Sequence, residues 1–217
     1  MDLMNHYYQN IEGWFTFESI YSEMVRIFPD GSHFVEIGCW LGRSSTYMGV
    51  EIINSTKKIK FDCIDSWDFI DEDFWVNPLY LKYKNIAYDE FLKNTKLLSD
   101  VLTSYKMNSV NASKLYQDQS LDFIFIDASH TYDNVMDDLN YWYPKLKHRG
   151  IIAGHDYNND VKLAVDEFFR NKKIEVYKDN WIHYDPNNFN EKVVFRSSED
   201  WIIYVEDGEV KARKSLI

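Results

Sequence analysis

Short apolar runs recur at residues 33–38, 60–65, 102–107, 121–127 and 150–155, and segments with helical spacing at 44–53, 88–99, 132–146 and 159–171 alternate with them. No other feature narrows the fold as far, because strand and helix repeating at this rhythm build right-handed βαβ units and a sheet covered on both faces. A helix at 14–28 precedes them, carried by Phe17, Ile20, Tyr21, Met24, Ile27 and Phe28 and stopped by Pro29-Asp30-Gly31. Residues 173–177 and 200–206 read as strands with no clear helix between, which predicts an antiparallel return. The expectation is an α/β, Rossmann-like, doubly wound seven-stranded sheet, mostly parallel with an antiparallel last strand. It would occupy one domain over 1–217, with 1–30 as an N-terminal helical segment.

Composition bounds the partners. No stretch approaches the roughly 18 apolar residues of a membrane span, and the start of the chain lacks a basic, then apolar, leader pattern. A soluble, cytoplasmic protein with no membrane partner is expected. The formal net charge of −11, with Lys and Arg scattered in twos and threes, argues against a nucleic-acid partner. Cys39 and Cys63 match no metal spacing and read as small buried thiols.

In such a sheet a ligand sits outside the carboxyl ends of the parallel strands. The first turn reads Glu36-Ile37-Gly38-Cys39-Trp40-Leu41-Gly42-Arg43-Ser44. A dinucleotide fingerprint needs glycine where Trp40 stands, and no Gly-Lys-Ser/Thr follows, so NAD, FAD and a P-loop are disfavoured. An adenosine without a pyrophosphate still fits. Asp65, ending the second run, is where a carboxylate can accept both hydroxyls of a ribose lying over the glycine loop.

These segments, together with Gly13-Trp14, Ile64-Asp65-Ser66-Trp67, Phe125-Ile126-Asp127-Ala128-Ser129-His130-Thr131-Tyr132 and Gly150-Ile151-Ile152-Ala153-Gly154-His155-Asp156-Tyr157, resemble the class I S-adenosylmethionine-dependent methyltransferases. More narrowly they are similar to the bacterial metal-dependent O-methyltransferases that act on sugar hydroxyls. The resemblance implies S-adenosylmethionine as cofactor, with Glu36, Gly38, Gly42 and Ser44 lining its methionine end, Asp65 on the ribose, and Asn108 and Ser109 flanking the adenine. Many relatives carry an aspartate where Asn108 stands.

Asp127 and Asp156 end neighbouring strands, close enough to share one divalent ion, Mg²⁺ or Mn²⁺, that would acidify an acceptor hydroxyl. His155 adds an imidazole where the sugar enzymes usually carry an acid, and it completes the expected ligand set Asp127, His155 and Asp156. His130, three residues beyond Asp127, is placed as general base, and the resembling sugar enzymes have a histidine at this spacing. Asp127 and His130 are therefore the expected catalytic pair. Asp137-Asp138 read as a solvated helix face and Asn77-Pro78-Leu79-Tyr80 as a turn. The aromatic segments 66–91 and 178–199 read as lids, acceptor platforms or a subunit contact, so a homo-oligomer stays open. The reading is a metal-assisted O-methyltransferase of a sugar or other small-molecule hydroxyl. Its alternatives are a metal-independent small-molecule methyltransferase and a catalytically silent cofactor-binding protein, and the silent form would lack Asp127, His130 and Asp156.

Overall fold

The computed structural model describes residues 3–68, 77–170, 174–177, 179–183, 194–196, 201–206 and 209–214. The strands are β1 His33–Ile37, β2 Lys60–Asp65, β3 Leu102–Lys106, β4 Leu121–Ile126, β5 Leu146–Gly154, β6 Glu175–Tyr177 and β7 Asn180–His183. They form one sheet in the order β3-β2-β1-β4-β5-β7-β6. β1 to β5 run parallel, and β7 pairs antiparallel with both β5 and β6.

Six of the seven segments expected to build this sheet are in it, and the seventh is not. Trp201–Glu206 is instead the middle strand, β9, of a separate three-stranded antiparallel sheet with β8 Val194–Arg196 and β10 Glu209–Lys214. The antiparallel return is made by Asn180–His183, which folds straight back from β6 and slots between it and β5. A tight hairpin brings β7 to its partner with far less chain than a return from residue 200 would need. Residues 201–206 do form a strand, but in the second sheet.

Register explains the layering. Phe34 pairs with Phe61 and Phe123, and Glu36 with Cys63 and Phe125, so these six share one face. Over that face pack Ile20, Tyr21 and Met24 of α1 (Glu18–Ile27) and Met48 and Ile52 of α2 (Arg43–Ser55). Val35, Ile37, Ile64, Ile124, Ile126 and Ile152 point the other way. There they meet α5 (Ser109–Ser113), α6 (Tyr132–Trp142) and α7 (Asn159–Phe168) through Ala112, Val135, Leu139, Ala164 and Val165. Trp181 of β7 is buried in the same layer. Within the expected aromatic segment 178–199, Asn180–His183 is thus core strand and Val194–Arg196 belongs to the second sheet; Tyr184 and Phe189 lie outside the described residues.

The helix expected from residue 14 begins at Glu18, and the described segment before α1 is irregular apart from a 3-10 turn at Tyr8–Asn10. It is tied down by the Arg43 guanidinium, whose Nη1 donates to the carbonyls of Ile11 (3.2 Å) and Gly13 (2.8 Å). Asn77, expected in a turn, caps α3 (Pro78–Tyr83): its side chain accepts from Leu79 N at 3.0 Å, with Pro78 in the first turn where no N–H is needed. α4 (Ala87–Thr95) follows. Phe69, Phe74 and Trp75 lie outside the described residues.

One close approach governs the sheet's upper edge. Gly38 has φ 84°, and a Cβ there would stand 1.9 Å from the Asp127 carbonyl oxygen. Gly31 has a similar φ of 82° but open space around it. Gly31→Ala should therefore cost about 1–2 kcal/mol, the penalty of a left-handed backbone, and Gly38→Ala distinctly more, because a main-chain atom cannot step aside. Urea unfolding of both variants checks this, and equal costs would contradict it.

Candidate functional site

The carboxyl ends of β1, β2, β4 and β5 open into a cavity of about 800 Å³, within the size range of small-molecule sites. Its wall contains Gly38, Ser44, Asp65, Asn108 and Ser109 of the expected cofactor set, and Asp127, His130, His155 and Asp156 of the expected reaction set.

Two expected cofactor residues are not in that wall. Glu36 is fully buried behind the glycine loop, taking the Tyr21 hydroxyl at 2.7 Å on one oxygen and the Ser45 hydroxyl on the other. Burial pushes its carboxyl up to about 7, against the pull of the Ser44, Ser45 and Tyr21 hydroxyls. Gly42 (φ 86°) is the N-cap of α2, and a Cβ there would press on Phe91 and Thr95. Both hold the loop's shape from behind.

Asp65 is in the wall, but it is largely occupied. One oxygen accepts from Cys39 N (2.8 Å) and Trp40 N (3.0 Å), and the other from Trp67 N (2.7 Å). Burial raises its pKa, opposed by these three backbone bonds. Trp40 and Trp67 both have positive φ, 47° and 49°, a costly conformation for bulky residues. The carboxylate holds both in place, and the Trp67 indole adds a bond to the Trp40 carbonyl at 2.7 Å. Asn108 is exposed and caps α5 by accepting from Asn111 N at 3.4 Å. The Ser109 hydroxyl donates to Asp138 and accepts from the Trp142 indole at 2.8 Å.

On the other side of Gly38 stands a chain of charges. His130 Nε2 is 2.9 Å from Asp156 Oδ2. That oxygen is also 3.0 Å from His155 Nδ1, which lies 3.5 Å from Asp127. His155 Nε2 meets Asp179 at 3.0 Å and the Thr16 hydroxyl at 3.1 Å. With carboxylates at both ring nitrogens, His155 must donate from both. Burial would lower its pKa, but Asp127 and Asp156 outweigh that and raise it to about 10. His130 is raised as well, chiefly by Asp156, and Asp156 is held well below the usual carboxylate range by His130 and His155. Asp156 itself has φ 51°, backbone strain of the kind found at working sites.

Two donor sets overlap at Asp156: Asp127, His130 and Asp156, and His155, Asp156 and Asp179, each with ligand atoms within 4.8 Å of one another. The first suits a metal better, since the imidazole of the second already carries a proton on each nitrogen. Asp179, just before β7, and Thr16, just before α1, carried no signal in the sequence. Trp14, Tyr80 and Arg43 also line the cavity, and Trp14 and Tyr80 pack ring to ring at 5.8 Å. The expectation that Asp137-Asp138 is a solvated face fails for Asp138, which is 4% exposed and lines the cavity; Asp137 is exposed. The signal was present, because Asp138 falls on the stripe of Val135, Leu139 and Trp142.

The charge chain has a pH signature. The raised His155 pKa adds stability that is complete below its ordinary 6.5 and is lost as pH climbs through about 10. The depressed Asp156 pKa adds stability that is complete above its ordinary 3.8 and is lost in acid. His155→Gln should therefore lower the melting temperature most at pH 5–6 in metal-free buffer, and progressively less towards pH 10. A cost that does not shrink over that range would contradict a doubly donating His155.

Comparison with known proteins places this geometry. The methyltransferase domain family model matches residues 35–157. Curated protein sequences give no match. Among solved structures, the O-methyltransferase NovP superposes with TM-score 0.54 at 17% identity, covering 77% of this chain and 78% of that one. An S-adenosylmethionine-dependent O-methyltransferase from Thermotoga maritima gives 0.51 at 10%, over 92% and 60%. An rRNA methylase from Streptococcus thermophilus gives 0.53 at 11%, over 75% and 90%. At these identities the structural likeness speaks for the fold, and the family match spans more than half of the 217 residues, from β1 through the end of β5. The chain belongs to the methyltransferase domain family and is an S-adenosylmethionine-dependent methyltransferase of the class I fold.

Proposed function

We propose that the chain transfers the methyl group of S-adenosylmethionine to a hydroxyl of a small molecule, a sugar or another polyol, with His130 as the proton acceptor. The observation that carries this reading is the His130–Asp156 pair, 2.9 Å apart and beside Asp127 in the wall of the cavity that the glycine loop also lines. The His130 side chain is 50% exposed, so an acceptor can reach it. The acceptor oxygen attacks the methyl carbon, the carbon–sulfur bond breaks to release S-adenosylhomocysteine, and the hydroxyl proton passes to His130 Nδ1, the ring nitrogen left basic when Nε2–H donates to Asp156. Asp156 orients the ring, and Asp127, His155 and Asp179 fix Asp156. Gly38, Ser44, Asn108 and Ser109 line the space for the cofactor, and Asp65 supports a ribose through the loop it braces and the lone pair its three backbone bonds leave over.

A divalent ion, Mg²⁺ or Mn²⁺, fits the donors here: Asp127 and Asp156 are the carboxylates that would hold it, with the His130 ring beside them. Bound, it would lower the pKa of the acceptor hydroxyl. A second reading, metal-independent transfer, is favoured by one observation: His155 already sets a positive charge between Asp127 and Asp156. With a net charge of −11, nucleic acid is not the proposed acceptor.

Calorimetry should show S-adenosylmethionine binding and no comparable NAD binding; the reverse would overturn the cofactor side. With an acceptor in hand, His130→Ala should lower turnover about 10²- to 10⁴-fold while cofactor affinity stays near wild type. Turnover that survives exhaustive chelation would select the metal-independent reading, and near-normal turnover of His130→Ala would place the base elsewhere.

A further inference from the structure

We propose that Asp138 is the residue that selects adenine, by accepting a hydrogen bond from the exocyclic amino group of the cofactor's base. The inference rests on S-adenosylmethionine binding in this cavity and goes beyond the adenine contacts expected from Asn108 and Ser109.

The Ser109 hydroxyl has one proton, and that proton is directed at Asp138 Oδ1, while its oxygen receives the Trp142 indole N–H at 2.8 Å. An indole nitrogen can only donate, so the direction of both bonds is set. Ser109 thus has no proton left for a ring nitrogen of the base. Asn108 is no better placed, since its side-chain oxygen faces Asn111 N at the start of α5 and the residue is exposed.

Asp138 is different. It is 4% exposed, it lies in the cavity wall, and among the described residues no Lys, Arg or His pairs with it. A carboxyl taken out of water with a single hydroxyl donor is short of hydrogen bonds. Burial accordingly pushes it up to about 7, with the Ser109 bond pulling the other way. A bound base brings the missing donor, an amino group with two N–H bonds. Ser109 and Trp142 are then positioning residues that hold the carboxyl at one angle, and α6 carries Asp138 on the same stripe that buries Val135 and Leu139 against the sheet.

The test compares two products that differ only at the base: S-adenosylhomocysteine, with a 6-amino group, and S-inosylhomocysteine, with a 6-oxo group. At a pH of about 8.5, above the Asp138 pKa of about 7, the buried group is a carboxylate and should reject the oxo group, so wild type should prefer the adenine form by roughly ten- to a hundredfold in calorimetric Kd. Asp138→Asn keeps the shape but can donate, and it should reduce that ratio about tenfold or more by weakening the adenine form and strengthening the inosine form. A merely structural Asp138 would weaken both compounds together and keep the ratio. A wild-type ratio near one, or an unchanged ratio in folded Asp138→Asn, would each overturn the assignment. The wild-type ratio does so even if Asp138→Asn fails to fold. Failure of wild type to bind either compound would overturn the cofactor reading as well, which separates the two.

Discussion

The backbone of Gly38 passes so close to the carbonyl of Asp127 that only a hydrogen fits between them, and the site is arranged around that contact. The bonds beside it run from Gly38 N to Ile64 O, from Asp127 N to Ile37 O and from His155 N to Ile126 O, so the ends of β2, β1, β4 and β5 are laced edge to edge. Loops leaving adjacent parallel strands diverge at this point, and the space between them becomes the cavity. On one side Asp65 holds two tryptophans in left-handed backbone to shape the glycine loop; on the other Asp127, Asp156 and two histidines gather. Neither half could close up on the other with a larger residue at position 38.

Charge is handled by placement. Glu36 and Asp138 both lie among apolar side chains on opposite faces of the sheet, and burial lifts each to about 7. They are held by hydroxyls, not by cations, which suits groups that spend part of their time neutral. The exposed half of the site takes the other course: three carboxylates around one imidazole, with His155 as the internal counter-charge. Removing one member of such a group leaves the others as uncompensated charges, and the arrangement also secures the direction in which Asp156 faces His130.

Much of this was legible in the sequence because strand ends are chemically marked. The runs ending at Gly38, Asp65, Asp127 and His155-Asp156 became β1, β2, β4 and β5, and those residues line the cavity. What could not be read was contact across long separations and the fate of single positions on a helix. Asp137 and Asp138 are neighbours in sequence but about 100° apart around the helix, so both reach the cavity wall while one is exposed and the other buried. Asp179 is an aspartate in a hairpin, where turn chemistry is explanation enough, and only the fold brings it to His155. The Asp200–Glu206 strand was visible as a strand, but a period of two does not name its partner. Asn77-Pro78 followed the same logic as a turn, since the residues that favour turns also start helices.

The partners of His155 have a consequence for synthesis. Thr16 and Asp179 meet at 3.5 Å although 163 positions separate them, and β7, which carries Asp179 in, is sandwiched between β5 and β6. A growing chain can pair β1, β2, β3 and β4 as they emerge, but β6 has no neighbour to pair with until residue 183 has left the ribosome. Until then β5 presents an open edge and His155 lacks its third carboxylate. The charge chain is thus complete only once β7 has been made, when Asp179 reaches both His155 and Thr16.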